Sequence, residues 1–123
     1  MSPPATTGEL RIELSKVTAN WRTLDRLTAG SEVAAVLKAD AYGLGATPIA
    51  RALHAAGCQT FFVAEPGEGI ALRDVVPDAT IFVLTGATPG AEDDLVHHRL
   101  VPVLISGAQV ERWGRHGLSL IHI

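Results

Sequence analysis

Lys38 closes the apolar run Glu32-Val33-Ala34-Ala35-Val36-Leu37 and opens the segment Lys38-Ala39-Asp40-Ala41-Tyr42-Gly43-Leu44-Gly45. The run reads as a buried parallel strand. A charged lysine at its last position is costly to bury, so it should face a cavity where its amine does chemistry or pairs with an anion. Gly43 and Gly45 admit two readings: backbone amides open to a phosphate, or a tight strand-to-helix turn. Other reactive side chains have plainer accounts. Cys58, the single cysteine, follows Gly57 between a helix and a strand, lacks an obvious activating base and suits a small buried filler. His97 and His98 are neighbours on a helix and point in different directions rather than at one ion. Glu92-Asp93-Asp94 falls in the first turn of the same helix, where carboxylates complement the helix dipole.

The elements that must position Lys38 alternate along the chain. A leader over residues 1–8 is polar and proline-containing and is expected to be mobile. Glu9 to Leu14 alternates polar and apolar residues, as a short strand would. Ser15 offers an N-cap to a helix whose apolar positions are Val17, Trp21, Leu24 and Leu27, ended by Gly30. Strands are expected over Val33 to Leu37, Thr60 to Ala64, Ile81 to Leu84 and Leu100 to Ile105. Helices are expected over Pro48 to Ala56, Pro66 to Val75, Ala91 to His98 and Ser106 to Arg115, the first with proline in its opening turn. Such alternation predicts an α/β fold with a parallel sheet, either open and doubly wound or part of a (β/α)8 barrel. Trp21 and Trp113 read as core or interface aromatics.

The 123 residues are 47% hydrophobic and 19% charged, enough for one core and too little for two large domains. A net charge of -3 gives no electrostatic case for nucleic acid, and no basic cluster marks a membrane surface. The N-terminus lacks the pattern of a secretory signal and no apolar run reaches bilayer-spanning length, so a cytoplasmic protein with small-molecule partners is expected.

The segment from Lys38 to Gly45 resembles the cofactor-lysine motif of the alanine racemases, which runs Val-Lys-Ala-(Asn/Asp)-Ala-Tyr-Gly-(His/variable)-Gly. Asp40 stands where asparagine is more usual and Leu44 where histidine is. The stretch Leu10 to Leu27, then Phe61-Phe62-Val63-Ala64 and Glu68-Gly69-Ile70-Ala71-Leu72-Arg73, is similar to the family's opening elements. The resemblance implies the N-terminal half of a (β/α)8 TIM-type barrel over residues 9–117, about four of the eight units of a fold that needs roughly 250 residues. It implies pyridoxal 5'-phosphate held as a Schiff base on Lys38, with Lys38 moving a proton on one face of the substrate carbon. It further implies that Tyr42 donates its hydroxyl to the phosphate and that Leu84 forms an apolar wall beside the cofactor. The substrate it implies is alanine, racemised to supply D-alanine for the cell wall. A homodimer with shared sites would complete the centre, a tyrosine from the partner's C-terminal domain serving the opposite face. The family's substrate arginine and ring-facing arginine come from later segments, which leaves Arg99 and Arg112 as surface residues.

Three rivals stand beside this reading. Gly43-x-Gly45 opens a helix after a strand and Glu65 follows about twenty residues on, as in dinucleotide sites. Pro48 occupies the place of the third glycine, however, and Lys38 would have no role. A non-catalytic pyridoxal-phosphate-binding barrel would also use a strand-end lysine, though not the Ala-Asp-Ala-Tyr-Gly continuation. The third is an inactive fragment, because half a barrel leaves an open edge. The tail Leu118-Ser119-Leu120-Ile121-His122-Ile123 reads as a translated adapter, with the start of a fifth strand as the alternative.

Overall fold

The computed structural model describes residues 8–116, so the reading of residues 1–7 as mobile and both readings of 118–123 lie outside the described residues. Ten elements follow in order: α1 (Leu14–Leu27), β1 (Ala35–Val36), α2 (Lys38–Tyr42), α3 (Ala46–Ala56), β2 (Thr60–Val63), α4 (Pro66–Val75), β3 (Thr80–Val83), α5 (Glu92–His97), β4 (Val101–Pro102) and α6 (Gly107–Gly114). The strands pair in parallel in the order β1-β2-β3-β4.

That order decides between the two architectures left open by alternation alone. A doubly wound sheet reverses direction and covers both faces with helices, whereas strands added successively in one direction put their helices on one side. The burial pattern agrees. Phe61, Val63, Ile81 and Val83 are at most 1% exposed, lying under the helices. On the alternate positions Val36 is 44% exposed and Phe62 and Phe82 are half-buried. The rings of Phe62 and Phe82 stack with centroids 4.8 Å apart on this open face. The fold is α/β, the first half of a (β/α)8 TIM-type barrel, and the open face is the wall that turns toward a barrel interior. Among the described residues no helix is long and apolar enough to cross a membrane.

Several boundaries differ from those predicted. Residues 9–13 form no strand, because alternation supplies a face but no partner to pair with, and the chain enters α1 directly. The helix begins at Leu14 with Glu13 as its N-cap, not Ser15, and the Glu13 carbonyl accepts from Lys16 N at 3.0 Å. Trp21 and Val17 pack against the core as expected, Trp21 Nε1 donating to Val33 O at 3.0 Å. Leu24 and Leu27 are 51% and 77% exposed, so the apolar stripe is buried only in its first half. Strand β1 keeps two residues of the expected five, having a neighbour on one side alone. Strand β4 is confined to Val101–Pro102. Helix α3 starts two residues before Pro48.

Candidate active site

The C-terminal ends of the strands are where a barrel gathers its chemistry, and β1 delivers Lys38 there. Leu37 extends the β1 pairing by donating its amide to Phe62 O at 2.8 Å, and its side chain is buried. Lys38 comes next and is half-buried, its Nζ 6.0 Å from the centroid of the Tyr42 ring. Among the described residues its amine is in no ion pair; the other lysine, Lys16, is paired to Glu13 at 3.3 Å. Tyr42 is 63% exposed. Leu84 lies just past β3, half-buried, with its amide bonded to Val63 O at 2.9 Å, and shares the side of the sheet taken by Phe82. Lys38 and Tyr42 are brought together, while Leu84 stands two strands across.

The backbone between Lys38 and Gly43 is left-handed. Ala39, Asp40, Ala41 and Tyr42 have φ of 53°, 53°, 56° and 57°. L-residues in this conformation cost about 1–2 kcal/mol each, and consecutive ones are rare. Local bonds hold the turn: Ala41 N to Leu37 O at 2.9 Å, Gly43 N to Ala39 O at 2.8 Å and Gly45 N to Asp40 O at 2.9 Å. The Asp40 carboxylate accepts from Ala46 N, the first amide of α3, at 2.8 Å. Asparagine would offer the same oxygen, which is why either residue suits this position.

These bonds overturn the phosphate reading of the glycines. The amides of Gly43, Leu44, Gly45 and Ala46 are all committed within the turn, leaving none open to an anion. Gly43 and Gly45 instead supply φ of 84° and 99°, which the chain needs to leave the left-handed turn for α3.

Two residues with no assigned role in the sequence reading lie at this site. The Glu68 carboxylate reaches from the first turn of α4, where Oε1 accepts from Ala64 N at 2.9 Å and Glu65 N at 3.2 Å. Its Oε2 accepts from Asp40 N at 3.4 Å. The spacing Glu65-x-x-Glu68 ahead of an apolar run was the available signal. Gln109, 6% exposed, joins the ends of β3 and β4: its Oε1 accepts from Ala87 N at 3.3 Å and Ile105 N at 3.1 Å, and its Nε2 donates to Thr85 O at 3.3 Å. A Cβ on Gly86 would fall 2.6 Å from Val103 O, so that close crossing admits only glycine.

The remaining groups keep to structural work. Cys58 is fully buried at the opposite end of β2, and burial pushes its thiol pKa up, the reverse of activation. Glu92 heads α5, where its Oε2 accepts from Gly90 N at 2.9 Å and its Oε1 meets Arg112 Nε at 3.2 Å. Its own backbone amide chiefly, then the Gly90 amide and Arg112, holds its carboxyl below the usual range. Arg112 is therefore a half-buried tether rather than a surface residue, also donating to Ala87 O at 2.7 Å, while Arg99 is exposed. His97 and His98 meet edge-on at 4.8 Å, and no group of three or more potential metal-binding side chains occurs among the described residues.

The model of the alanine racemase N-terminal domain matches residues 12–120. The alanine racemase of Rhodospirillum rubrum is 45% identical over 95% of this chain and 34% of its own length. That of Brucella ovis is 46% identical over 86% of the chain and 27% of its own. Among solved structures, the Bartonella henselae alanine racemase with covalently bound pyridoxal phosphate superposes with a TM-score of 0.82 at 42% identity, covering 85% of this chain and 30% of that one. The Streptomyces coelicolor enzyme gives 0.74 at 36%, covering 81% and 27%. The chain thus spans about a third of the length of the relatives it matches. On the match over residues 12–120, the chain belongs to the alanine racemase N-terminal domain family.

Proposed function

We propose that this chain forms the cofactor-lysine half of the barrel in a pyridoxal-phosphate-dependent alanine racemase, an isomerase that interconverts L- and D-alanine. The observation that carries the reading is Lys38, a half-buried lysine beside an exposed phenol at the end of β1, aimed by a strained left-handed turn. Strain of this kind persists where the surrounding structure over-determines the backbone, and it clusters at functional sites.

The donor set fits the cofactor. An amine outside any described ion pair can hold an aldehyde covalently, the Tyr42 hydroxyl can donate to a phosphate, and Val36, Phe62, Phe82 and Leu84 offer an apolar wall to a flat ring. When bound, pyridoxal phosphate supplies an electron sink that acidifies the α-hydrogen of an amino acid. The chain's own part is to bind, orient and move a proton. Lys38 anchors the cofactor through Nζ and, once its amine is free, takes a proton from one face of the substrate carbon or returns it. Tyr42 would hold the phosphate end through its hydroxyl, and Leu84 would offer an apolar side chain that excludes water. The opposite face needs a second base; the family resemblance implies a tyrosine in that role, and the single tyrosine here, Tyr42, is given to the phosphate, so in this reading that base comes from outside these residues. A homodimer with shared centres meets the need. In this reading the enzyme is cytoplasmic, feeds D-alanine to cell-wall synthesis, and the 123 residues alone do not racemise.

The test uses the full-length protein that carries these residues. After incubation with pyridoxal phosphate and borohydride reduction, peptide mapping is expected to find the label on Lys38, and Lys38→Ala to abolish racemisation. A label on another lysine overturns the assignment. A label on Lys38 without any racemisation points to a non-catalytic pyridoxal-phosphate-binding barrel instead.

A further inference from the structure

Glu68 lies far from Lys38 in sequence, yet one carboxylate joins three backbone amides from two elements. Two of them, Ala64 N and Glu65 N, lie at the start of α4, and bonding them to Oε1 is ordinary helix capping. The third does not belong to that helix. Asp40 N is part of the peptide that links Ala39 to Asp40, one residue past Lys38, inside the left-handed turn. Asp40 N is not among the amides bonded within the turn, and the Oε2 of Glu68 is its partner at 3.4 Å.

We propose that Glu68 is a positioning residue for Lys38: its Oε2 holds the Ala39–Asp40 peptide against the end of β2 and so sets the aim of the lysine amine over the open face. The inference rests on the functional reading of Lys38 given above. It connects two (β/α) units, because the same carboxylate also fixes the amides at the end of β2, the strand paired with β1. The Asp40 carboxylate supports the turn from its other side by holding Ala46 N, so the turn is gripped by one carboxylate outside it and one of its own. Neither carboxylate touches the substrate in this account; both act through the backbone.

Chemistry offers a variant that separates positioning from capping. In Glu68→Gln the side-chain oxygen keeps the Ala64 and Glu65 amides, because flipping the amide would set its NH2 against two donors instead of one. The NH2 then faces Asp40 N, donor against donor. Glu68→Ala loses all three bonds.

The experiment measures residue-resolved hydrogen exchange and the rate of borohydride trapping at Lys38 in the full-length protein and both variants. In Glu68→Gln, Asp40 N is expected to exchange faster while Ala64 N and Glu65 N keep their protection. Trapping at Lys38 slows by about threefold, the scale of one long, exposed hydrogen bond, and the melting temperature stays near that of the unsubstituted protein. In Glu68→Ala all three amides exchange faster and the melting temperature also falls. Unchanged Asp40 exchange in Glu68→Gln, or trapping at the original rate, overturns the inference, as does a loss in which the three amides change together. Failure of the functional reading is visible separately, as a label away from Lys38 in the unsubstituted protein.

Discussion

The two ends of the sheet solve opposite problems with opposite charges. At the C-terminal ends of the strands, where α3 to α6 begin, free amide hydrogens are met by acceptors: Asp40 on Ala46 N, Glu68 on Ala64 and Glu65 N, Glu92 on Gly90 N, and Ser106 Oγ on Gln109 N. At the N-terminal ends, where helices finish, free carbonyls are met by side-chain donors, Arg73 above all. Arg73, 6% exposed, donates to Val76 O, Pro77 O and Ala79 O in one connection and to His98 O and Arg99 O in the next, at 2.6 to 3.3 Å. Helix polarity dictates the signs, since every crossover helix starts at the same end of a parallel sheet. The difference lies in what each end is for. Around the buried Arg73 side chain the backbone is unstrained except for Arg99 at φ 55°, whereas the Lys38 end carries four successive left-handed residues. The converging bonds of one buried guanidinium lie at one end of the sheet and the backbone strain at the other.

The sharpest way to break this comparison is Arg73→Ala, which strands buried carbonyls in two connections at once. A loss of at least about 3 kcal/mol is expected by chemical denaturation, with Lys38 labelling preserved in whatever fraction folds. A loss below about 1 kcal/mol would mean that water replaces the guanidinium and that this end carries no special burden. At the other end, Tyr42→Phe is expected to weaken cofactor binding by roughly 1.5–3 kcal/mol, the contribution of a hydroxyl to a charged acceptor. Its denaturation midpoint should hold, because the ring is already exposed. An unchanged dissociation constant for pyridoxal phosphate would make Tyr42 a loop residue only.

The smallest effect is acid sensitivity. Glu92 has a folded-state pKa below its ordinary value of 4.5, so its contribution is complete above that value and is lost as pH falls through the lower folded pKa. Arg73 does not titrate there. Hydrogen exchange followed from pH 5 downward, corrected for its intrinsic pH dependence, should therefore loosen the α5 start, at Gly90, before the carbonyl cluster around Arg73. The reverse order would contradict the division of labour between the two ends.

Much of this was legible in the residues. The alternation of apolar runs with helical segments placed every strand formed among the described residues, and the company of Lys38, a tyrosine and two glycines marked the candidate site. The handedness of the turn was not legible, because of its four residues only Asp40 is of a type that visits positive φ readily, and Ala39, Ala41 and Tyr42 give no such sign. Strand ends were overcalled because Val33 and Ile105 are good strand residues with no strand to pair with. Arg73 looks like any charged residue on a helix until the two connections that converge on it are folded, and Glu9 to Leu14 had the rhythm of a strand without a neighbour.

Pro102, one half of β4, gives the sheet a one-way margin. Val103 N bonds inward to Val83 O, so the polar groups of residue 102 point outward, and proline has an oxygen there but no hydrogen. Any further strand laid along that side can give a hydrogen bond at this position but cannot receive one. A stray chain finds a poor template for extending the sheet, while a strand that belongs there must draw its register from the side chains facing the open wall rather than from the ladder.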